Sequence, residues 1–342
     1  MKLAIHNNKT GFHPRWEDYC QKNNISYKLV NCHANDIIAQ LQDCDALMWH
    51  YSHISGIDSL ISKQILFALE HSGFKVFPDF KTAWHFDDKV GQKYLLESIN
   101  VPMVKSYLFL DKKEALKWVK STSFPKVFKL RGGAGSSNVK LVQTKKQAIQ
   151  LIKKAFGKGF RQYDKWQKLK DRTYKYKSGK SSFFDVMKAL ARLNMEPDFS
   201  KTIGPERGYV YFQDFIPHQN SDTRIIIIGN KAFALKRMVR ENDFRASGSG
   251  EFYYDRELFD ERCVQLSFEI NKKIKSQSLA VDFVFDENNV PLVVEISYGF
   301  VVSVYDLCPG FWDNNLNWHQ EKFNPQGWMV ENLIQRVRSN GN

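Results

Sequence analysis

Two carboxylates occupy mirror-image positions around one turn. Asp282 and Glu295 flank a turn that we expect to centre on Asn288 and Asn289. In a symmetric hairpin the two acids lie opposite each other, with Cβ atoms about 5 Å apart, and Ser297 shares the face of Glu295. Two carboxylates on one apolar face repel each other, and a divalent cation between them is the simplest reason to tolerate this. An oxygen-only site completed by phosphate oxygens suits Mg²⁺.

A glycine-rich turn is the first candidate for binding the phosphates. It follows a β-like segment that ends at Lys129, and it contains Gly135 and Ser136. Glycines let backbone N–H groups close on phosphate oxygens, and the lysine adds a point charge. The turn lacks the G-K-[ST] ending of a Walker loop and the G-x-G-x-x-G of a dinucleotide site. A turn of this kind, taken alone, is more often only a turn.

A basic hairpin is the second candidate. The segment Thr223–Met238 turns at a Gly-Asn dipeptide, which is a strong hairpin signal. Closing it there pairs Asp222 with Arg237, and Arg245 follows in the next loop. Arginine forks suit phosphoryl oxygens. The alternative is an exposed basic edge that deters aggregation. We favour that alternative for Lys231 and a functional role for the two arginines.

The composition excludes several classes of protein. The 342 residues are 43% hydrophobic and 14% aromatic, which predicts a globular chain, and the net charge of +13 favours anionic partners. The five cysteines include no C-x-x-C pair, which predicts a reduced, cytoplasmic protein without a zinc site. No apolar stretch is long enough to predict a signal peptide or a membrane helix.

The elements that must position these residues form an α/β (α+β) chain in four segments. Residues 1–80 alternate short strands and helices, and residues 81–156 begin with a helix over 81–100 and continue as a small mixed subdomain. Residues 157–200 are basic: eleven Lys/Arg against three Asp between Lys158 and Arg192 give a net charge of +8. Residues 201–342 are rich in strands and end in an aromatic segment.

In this order, the segments from Trp84 to Gly299 resemble the ATP-grasp superfamily, closest to its ligases that extend proteins or peptides with amino acids, such as the ribosomal-protein glutamate ligases. The resemblance implies an N-terminal pre-ATP-grasp domain over 1–80. It also implies two α+β subdomains that clamp ATP, a small lid over 81–156 and a C-terminal subdomain over 201–342. Residues 157–200 are then a basic insertion.

The resemblance also implies roles for particular residues. The nucleotide-binding positions that it implies are Lys89, Lys129, Gly135, Ser136, Gln213, Asp214, Phe215, Ile216, Asp222, Arg245 and Ser247. It assigns Arg237 and Arg245 to catalysis at the transferring phosphoryl group. It assigns Asp282, Glu295 and Ser297 to Mg²⁺, with Mn²⁺ as the alternative ion. The family usually has Glu-x-Asn where this chain has Glu-Ile-Ser, and a serine hydroxyl has a shorter reach than an asparagine carbonyl.

The implied reaction is ATP-dependent ligation. A substrate carboxylate attacks the γ-phosphate to form an acylphosphate, and an amine (or thiol) then displaces phosphate. One alternative keeps the fold and transfers phosphate to a hydroxyl, as a kinase does. Another alternative is a nucleic-acid-binding module built on the basic 157–200 segment. Nucleic acid is disfavoured as a partner, because such a segment is more often a solvated charged face.

The acceptor is expected to contact the basic segment and the aromatic segment Gly299–Trp328. Aromatic rings near a site stack on sugars, so a saccharide-linked or cell-envelope precursor is one expected acceptor. Packing of these rings in the core is an equally good interpretation. A structural role is favoured for His50 and His53, and packing is favoured for Cys308. A homo-oligomer is expected from the resemblance.

Overall fold

The chain forms two compact units in the structure, which is a computed structural model. It describes residues 1–132, 138–161, 169, 172–173, 176, 182–191, 204–239, 243–246 and 249–339. The first unit comprises Met1–Ser52, Ile61–Val104 and Ile216–Asn342, and the second comprises His53–Leu60 and Lys105–Phe215. The four segments expected from the sequence stay a prediction about domains. Part of the expected lid, residues 81–104, groups with the first unit.

The N-terminal part of the first unit contains a parallel sheet, as the alternation of strands and helices predicted. Its elements in chain order are β1 (Leu3–His6), α1 (His13–Lys22), β2 (Tyr27–Val30), α2 (Ile37–Gln40), β3 (Ala46–Met48), α3 (Gly56–His71) and β4 (Lys75–Phe77). The first five residues of α3 group with the second unit. The strand order is β2-β1-β3-β4. All three pairings are parallel, which requires the helical crossovers between the strands.

The single helix expected over 81–100 is wrong. The structure has two helices here, α4 (Phe80–Ala83) and α5 (Lys89–Ser98). The break arises because Asp88 caps α5: its carboxylate accepts hydrogen bonds from the backbone N–H groups of the first turn, which satisfies donors that a helix start leaves open. The cap places Lys89 at the first position of α5, where it is buried.

The second unit is built on an antiparallel sheet. Its elements are β5 (Ser106–Phe109), α6 (Lys112–Ser121), β6 (Lys126–Lys129), β7 (Lys140–Val142), α7 (Lys145–Ala155), α8 (Phe183–Ala191) and β8 (Val210–Asp214). The strand order is β5-β8-β6-β7. A capping box starts α8, because Ser182 Oγ accepts from the Asp185 N–H at 3.3 Å and Asp185 Oδ2 accepts from the Ser182 N–H at 3.1 Å. Most of the basic 157–200 segment lies outside the described residues.

The C-terminal part of the first unit is a larger sheet. Its elements are β9 (Ser221–Ile228), β10 (Lys231–Met238), β11 (Phe252–Tyr253), α9 (Glu261–Ile274), β12 (Ser278–Phe285), β13 (Pro291–Ser297), β14 (Phe311–Asp313), β15 (Trp318–His319) and α10 (Pro325–Arg338). The strand order is β13-β12-β9-β10-β14-β15, and β11 pairs with β10. The two-residue turn between β9 and β10 is confirmed, since Ile228 pairs with Lys231.

This large sheet separates two hydrophobic cores of the first unit. Ile226, Phe233 and Ala280 point to one face and join the core of the N-terminal sheet. Ile225 and Val281 point to the other face, where they pack with residues of α5 and α9. Successive side chains of a strand point to opposite faces, so each polar side chain at a strand end also lies on one of these two faces.

The aromatic C-terminal segment packs in the core. Phe300, Tyr305, Phe311 and Trp312 are each at most 6% exposed. Phe233 packs edge-on against both Phe300 and Tyr305. The structure therefore supports core packing over sugar stacking for these rings. Among the described helices, none combines the length and the apolar character that a membrane crossing requires.

Candidate active site

The hairpin of β12 and β13 brings the two acids together, as the sequence predicted, but by a different route. Phe283 pairs with Val293, and the register then shifts so that Asp282 pairs with Glu295. Without this shift Asp282 would lie opposite Val294. The extra residue is a β-bulge, a device that re-aims a side chain. The bulge at Val294 is thus what places Glu295 opposite Asp282.

Asp282 is held by two guanidinium groups. Arg224 Nε donates to its Oδ1 at 2.5 Å and Arg224 Nη2 to its Oδ2 at 2.7 Å. Arg237 Nη2 donates to Oδ2 at 2.9 Å. Arg237 also forms a fork with Asp222, through its Nε and Nη2, at 2.6 Å each. These four residues, Asp222, Arg237, Asp282 and Arg224, form what we call the acid–arginine network.

The network arises from strand register. The β9–β10 hairpin pairs Asp222 with Arg237, as the sequence predicted. Because β12 lies on the other side of β9, Asp282 pairs with Arg224. All four side chains therefore emerge on one face at the same end of the sheet. Two acids and two guanidinium groups balance each other in charge, which lowers the cost of burying them.

The electrostatics of the network keep Asp282 ionised. Burial alone would raise the pKa of Asp282, but Arg224 and Arg237 outweigh it and hold the pKa well below its ordinary value. Burial opposes the charge of both guanidinium groups as well, and Asp282 more than compensates by raising the pKa of each. Burial raises the pKa of Asp222, which shares Arg237 with Asp282.

Glu295 has a cation of its own. Lys89 Nζ lies 3.3 Å from Glu295 Oε1, and the lysine side chain is only 6% exposed. The sequence argument held that a divalent cation is the simplest reason for two acids to share this face. The structure provides another reason, because Lys89 faces Glu295 and the arginines face Asp282. The hairpin is therefore charge-balanced by protein groups alone.

The donor atoms nevertheless fit Mg²⁺ in type. Asp282, Glu295 and Ser297 offer only oxygen ligands, which Mg²⁺ prefers. Ser297 Oγ donates to the Gly299 carbonyl and accepts from the Gly299 N–H, both at 3.1 Å. No group of three or more His, Cys, Asp or Glu side chains in the described part of the chain is arranged to hold a metal. A metal here would depend on phosphate oxygens for the rest of its ligands.

The predicted nucleotide residues of the second unit divide between two faces of its sheet. Lys129 pairs with Tyr211, and Gln213 pairs with Val127, so Lys129 and Gln213 share one face. Asp214 points to the opposite face, where Lys126 Nζ donates to its Oδ1 at 2.5 Å. The structure thus brings Lys129 and Gln213 together. The carboxylate of Asp214 forms an ion pair with Lys126. Asp214 would therefore contact adenine through its backbone groups.

The remaining predicted residues lie in loops. Arg245 Nη2 donates to Asp243 Oδ2 at 2.5 Å within its own loop, and its side chain is 11% exposed. Phe215 and Ile216 are half-buried after β8. Three predicted positions, Gly135, Ser136 and Ser247, fall outside the described residues.

Sequence reasoning did not assign a role to Arg224. Arg224 is important because β9 lies beside β12, which brings it to Asp282, 58 positions away in the sequence. The sequence also gives Tyr305 no role beyond its membership of the aromatic segment. It is buried, burial raises its pKa, and it lies within electrostatic range of Arg224 and Arg237.

Comparison with solved structures shows the fold. The chain is similar to the RimK domain ATP-grasp protein from Sphaerobacter thermophilus, with a TM-score of 0.55 and 13% identity over 98% of this chain and 100% of that one. It is also similar to the D-alanine–D-alanine ligase from Bacillus anthracis complexed with ATP, with a TM-score of 0.54 and 12% identity over 99% of each chain. The fold is that of the ATP-grasp ligases.

Sequence comparison refines this class. Residues 193–302 match the family model of the RimK-like ATP-grasp domain. The chain is 22% identical over 292 residues to the alpha-aminoadipate–LysW ligase LysX of Saccharolobus solfataricus, and the alignment covers 83% of this chain and 89% of LysX. These comparisons identify a RimK-like ATP-grasp domain over residues 193–302 of a chain that has the ATP-grasp fold. The acid–arginine network and Glu295 all lie inside the segment that the family model matches.

Proposed function

We propose that this ligase activates a carboxylate as an acylphosphate at the face that carries the acid–arginine network and Glu295. The observation that supports this most is the alternation of charge there. Two acids, Asp282 and Glu295, face each other across a hairpin, and each contacts cationic side chains. Such preorganised charges stabilise charge that develops on transferring phosphoryl groups. The same residues are in the segment that matches the family model.

The proposed reaction has two steps. A carboxylate oxygen of the substrate forms a bond to the γ-phosphorus as the bond to the β–γ bridging oxygen breaks, which releases ADP. An amine nitrogen then attacks the acyl carbon, inorganic phosphate leaves, and the nitrogen loses a proton. Bound Mg²⁺ would supply neutralisation of phosphate charge. Asp282 and Glu295 would hold it, with Ser297 as the third oxygen.

The protein side chains provide positioning and charge. Arg237 has its fork on Asp222 and one further N–H on Asp282, so its guanidinium is fixed in direction before any ligand arrives. Lys89 is fixed by the cap of α5 and by Glu295. Cations that are already in position need no reorganisation during phosphoryl transfer, and this lowers the barrier of the reaction. Arg245 and Lys129 remain predicted phosphate contacts.

The substrates are proposed by class. By its name, LysX ligates alpha-aminoadipate to LysW. We therefore propose an amino-acid-like molecule as one substrate and a peptide or protein as the other. The expectation of a saccharide-linked acceptor depends on aromatic rings that are free to stack on sugars. The burial of Phe300, Tyr305, Phe311 and Trp312 removes that support.

The test is an ADP-release screen over carboxylates and amines, run with hydroxylamine in a parallel series. An acylphosphate is trapped as a hydroxamate, so hydroxamate that depends on one carboxylate is the expected result. The Asp282→Asn variant is the blank, because the amide keeps the size of the carboxylate but loses its charge and replaces one acceptor oxygen by a donor group. A stable phosphoester without hydroxamate would instead indicate a kinase. ADP release that is equal in the wild type and the blank would remove the proposed site.

A further inference from the structure

A cavity of about 620 Å³ lies in the first unit, on the reverse face of the large sheet. Thr223, Lys236 and Phe283 form its sheet side. Thr223 pairs with Lys236 on one side and with Phe283 on the other. Each is adjacent in sequence to a member of the acid–arginine network. Since neighbouring residues of a strand point to opposite faces, the cavity lies behind the network.

The walls of the cavity are built by hydrogen bonds from side chains to the backbone. Gln219 Nε2 donates to the Phe285 carbonyl at 2.8 Å, and the Phe285 N–H donates to Gln219 Oε1 at 3.3 Å. This pair fastens the loop before β9 to the end of β12. On the other wall, Asp286 Oδ1 accepts from the N–H groups of Asn288 and Val290 at 2.9 and 2.8 Å. The cavity is therefore formed before any ligand binds.

Lys236 is the unusual member of the lining. It is half-buried, yet its side chain makes no hydrogen bond or ion pair with any residue that the structure describes. Its sequence neighbour Arg237, by contrast, contacts two carboxylates. A half-buried cation next to a cavity is balanced most simply by an anionic group of a ligand. Lys236 therefore indicates a ligand with a carboxylate or a similar anion.

The rest of the lining defines the other parts of such a ligand. Asp286 and Glu287 line the cavity too, and they provide negative charge for a cationic group. Phe285, which is half-buried, provides an apolar surface between the charged groups, whereas Phe283 is fully buried in the core. A molecule that carries a carboxylate, an ammonium group and a hydrocarbon body matches all three features. The volume lies within the range of about 300–1,000 Å³ that is usual for small-molecule sites.

We propose that this cavity is a second binding site, which takes an apolar amino acid or dipeptide in its zwitterionic form. The carboxylate contacts Lys236, the ammonium group contacts Asp286 and Glu287, and the side chain covers Phe285. The site is separate from the nucleotide-binding face and does not depend on the function proposed for that face. Ile216 is the one predicted nucleotide residue in its lining.

Calorimetry on the full chain tests the proposal. The probes are leucine, phenylalanine and the dipeptide Leu-Leu, each compared with its N-acetylated and its amidated form. The expected result is binding of the zwitterions and loss of binding when either charge is capped. Comparing the single amino acids with the dipeptide decides which of the two sources fits the cavity.

Variants assign the binding to this cavity. Lys236→Gln and Glu287→Gln are each expected to weaken zwitterion binding about tenfold or more, because each removes one charge-assisted contact. Lys231→Gln is the matched control: Lys231 is on the same strand but contacts the ring of Trp328, with Nζ 4.5 Å from the ring centre. Binding by Lys231→Gln is expected to equal that of the wild type. Circular dichroism verifies that each variant is folded.

Three results would overturn the proposal. The first is no heat from any zwitterion at millimolar concentration. The second is binding that Lys236→Gln leaves unchanged. The third is displacement of the zwitterion by ATP, since the cavity would then belong to the nucleotide site. The Asp282→Asn variant separates this proposal from the function proposed above: it is expected to keep zwitterion binding even though its ligase activity is lost.

Discussion

Arg237 and Asp282 are joined by a hydrogen bond of 2.9 Å across 45 residues of sequence. The same guanidinium forms a fork with Asp222, so one buried arginine orders two acids on neighbouring strands. This arrangement gives Arg237 two roles at once. It offsets the burial of both acids, and it holds a cation at the point where the ligase is proposed to bind phosphate.

Removing that arginine should be costly for folding. Arg237→Gln leaves two buried carboxylates with one guanidinium, and breaking a buried ion pair from one side costs about 3–5 kcal/mol. Urea denaturation is the measurement. Arg262→Gln is the control, because Arg262 forms an exposed pair with Asp260 and exposed pairs contribute little to stability. An equal loss in both variants would contradict the importance assigned to the network.

Glu295 should affect ligand binding more than stability. Its side chain is 30% exposed, so Glu295→Gln is expected to cost less stability than Arg237→Gln, although it removes the charge that lies 3.3 Å from the buried Lys89. Loss of one proposed metal-binding charge should lower the rate of ADP formation by about a hundredfold or more, which corresponds to roughly 3 kcal/mol of transition-state stabilisation. Steady-state kinetics at several Mg²⁺ concentrations measure this. Glu257→Gln, at an exposed position, controls for charge alone, and wild-type activity in Glu295→Gln would disprove the role.

The sequence predicted the local pairings well. Asp222 with Arg237 and Asp282 with Glu295 both follow from hairpin turns, which depend on few residues. Even so, the second pair forms only because a bulge at Val294 corrects the register. No pattern around Val294 in the sequence indicates a bulge. The predicted pairing of Asp282 with Glu295 is therefore correct for a reason that the sequence does not show.

Long-range neighbours were beyond the sequence. Arg224 meets Asp282 because β9 and β12 are adjacent, and strand order depends on the packing of the whole unit. Because strand order is not visible in the sequence, the sequence analysis needs a metal ion to explain why Asp282 and Glu295 lie so close together. Lys89 and Arg224 were not known to lie beside them. A helix cap depends only on nearby residues, yet the sequence analysis predicts one helix over 81–100 and misses that Asp88 caps the start of a second helix.

The cysteines should be inert in the folded protein. All five are free and buried. Burial raises the pKa of Cys20 to about 11 and the pKa values of Cys263 and Cys308 to about 12. The thiolate is the reactive form, so a thiol-specific reagent at pH 8 should react slowly with native protein and label five thiols in urea. Rapid labelling of native protein would contradict the burial.

His85 should make the stability depend on pH. Its ring is buried, and burial lowers its pKa from 6.5 to about 4. Between those values the unfolded chain binds a proton that the folded chain does not, so stability falls as the pH is lowered from 6.5 towards 4. The full effect is about 3 kcal/mol. Urea denaturation at pH 7 and at pH 4.5 measures it: His85→Leu should lose less stability between these two conditions than the wild type. Equal losses would show that His85 does not set this dependence.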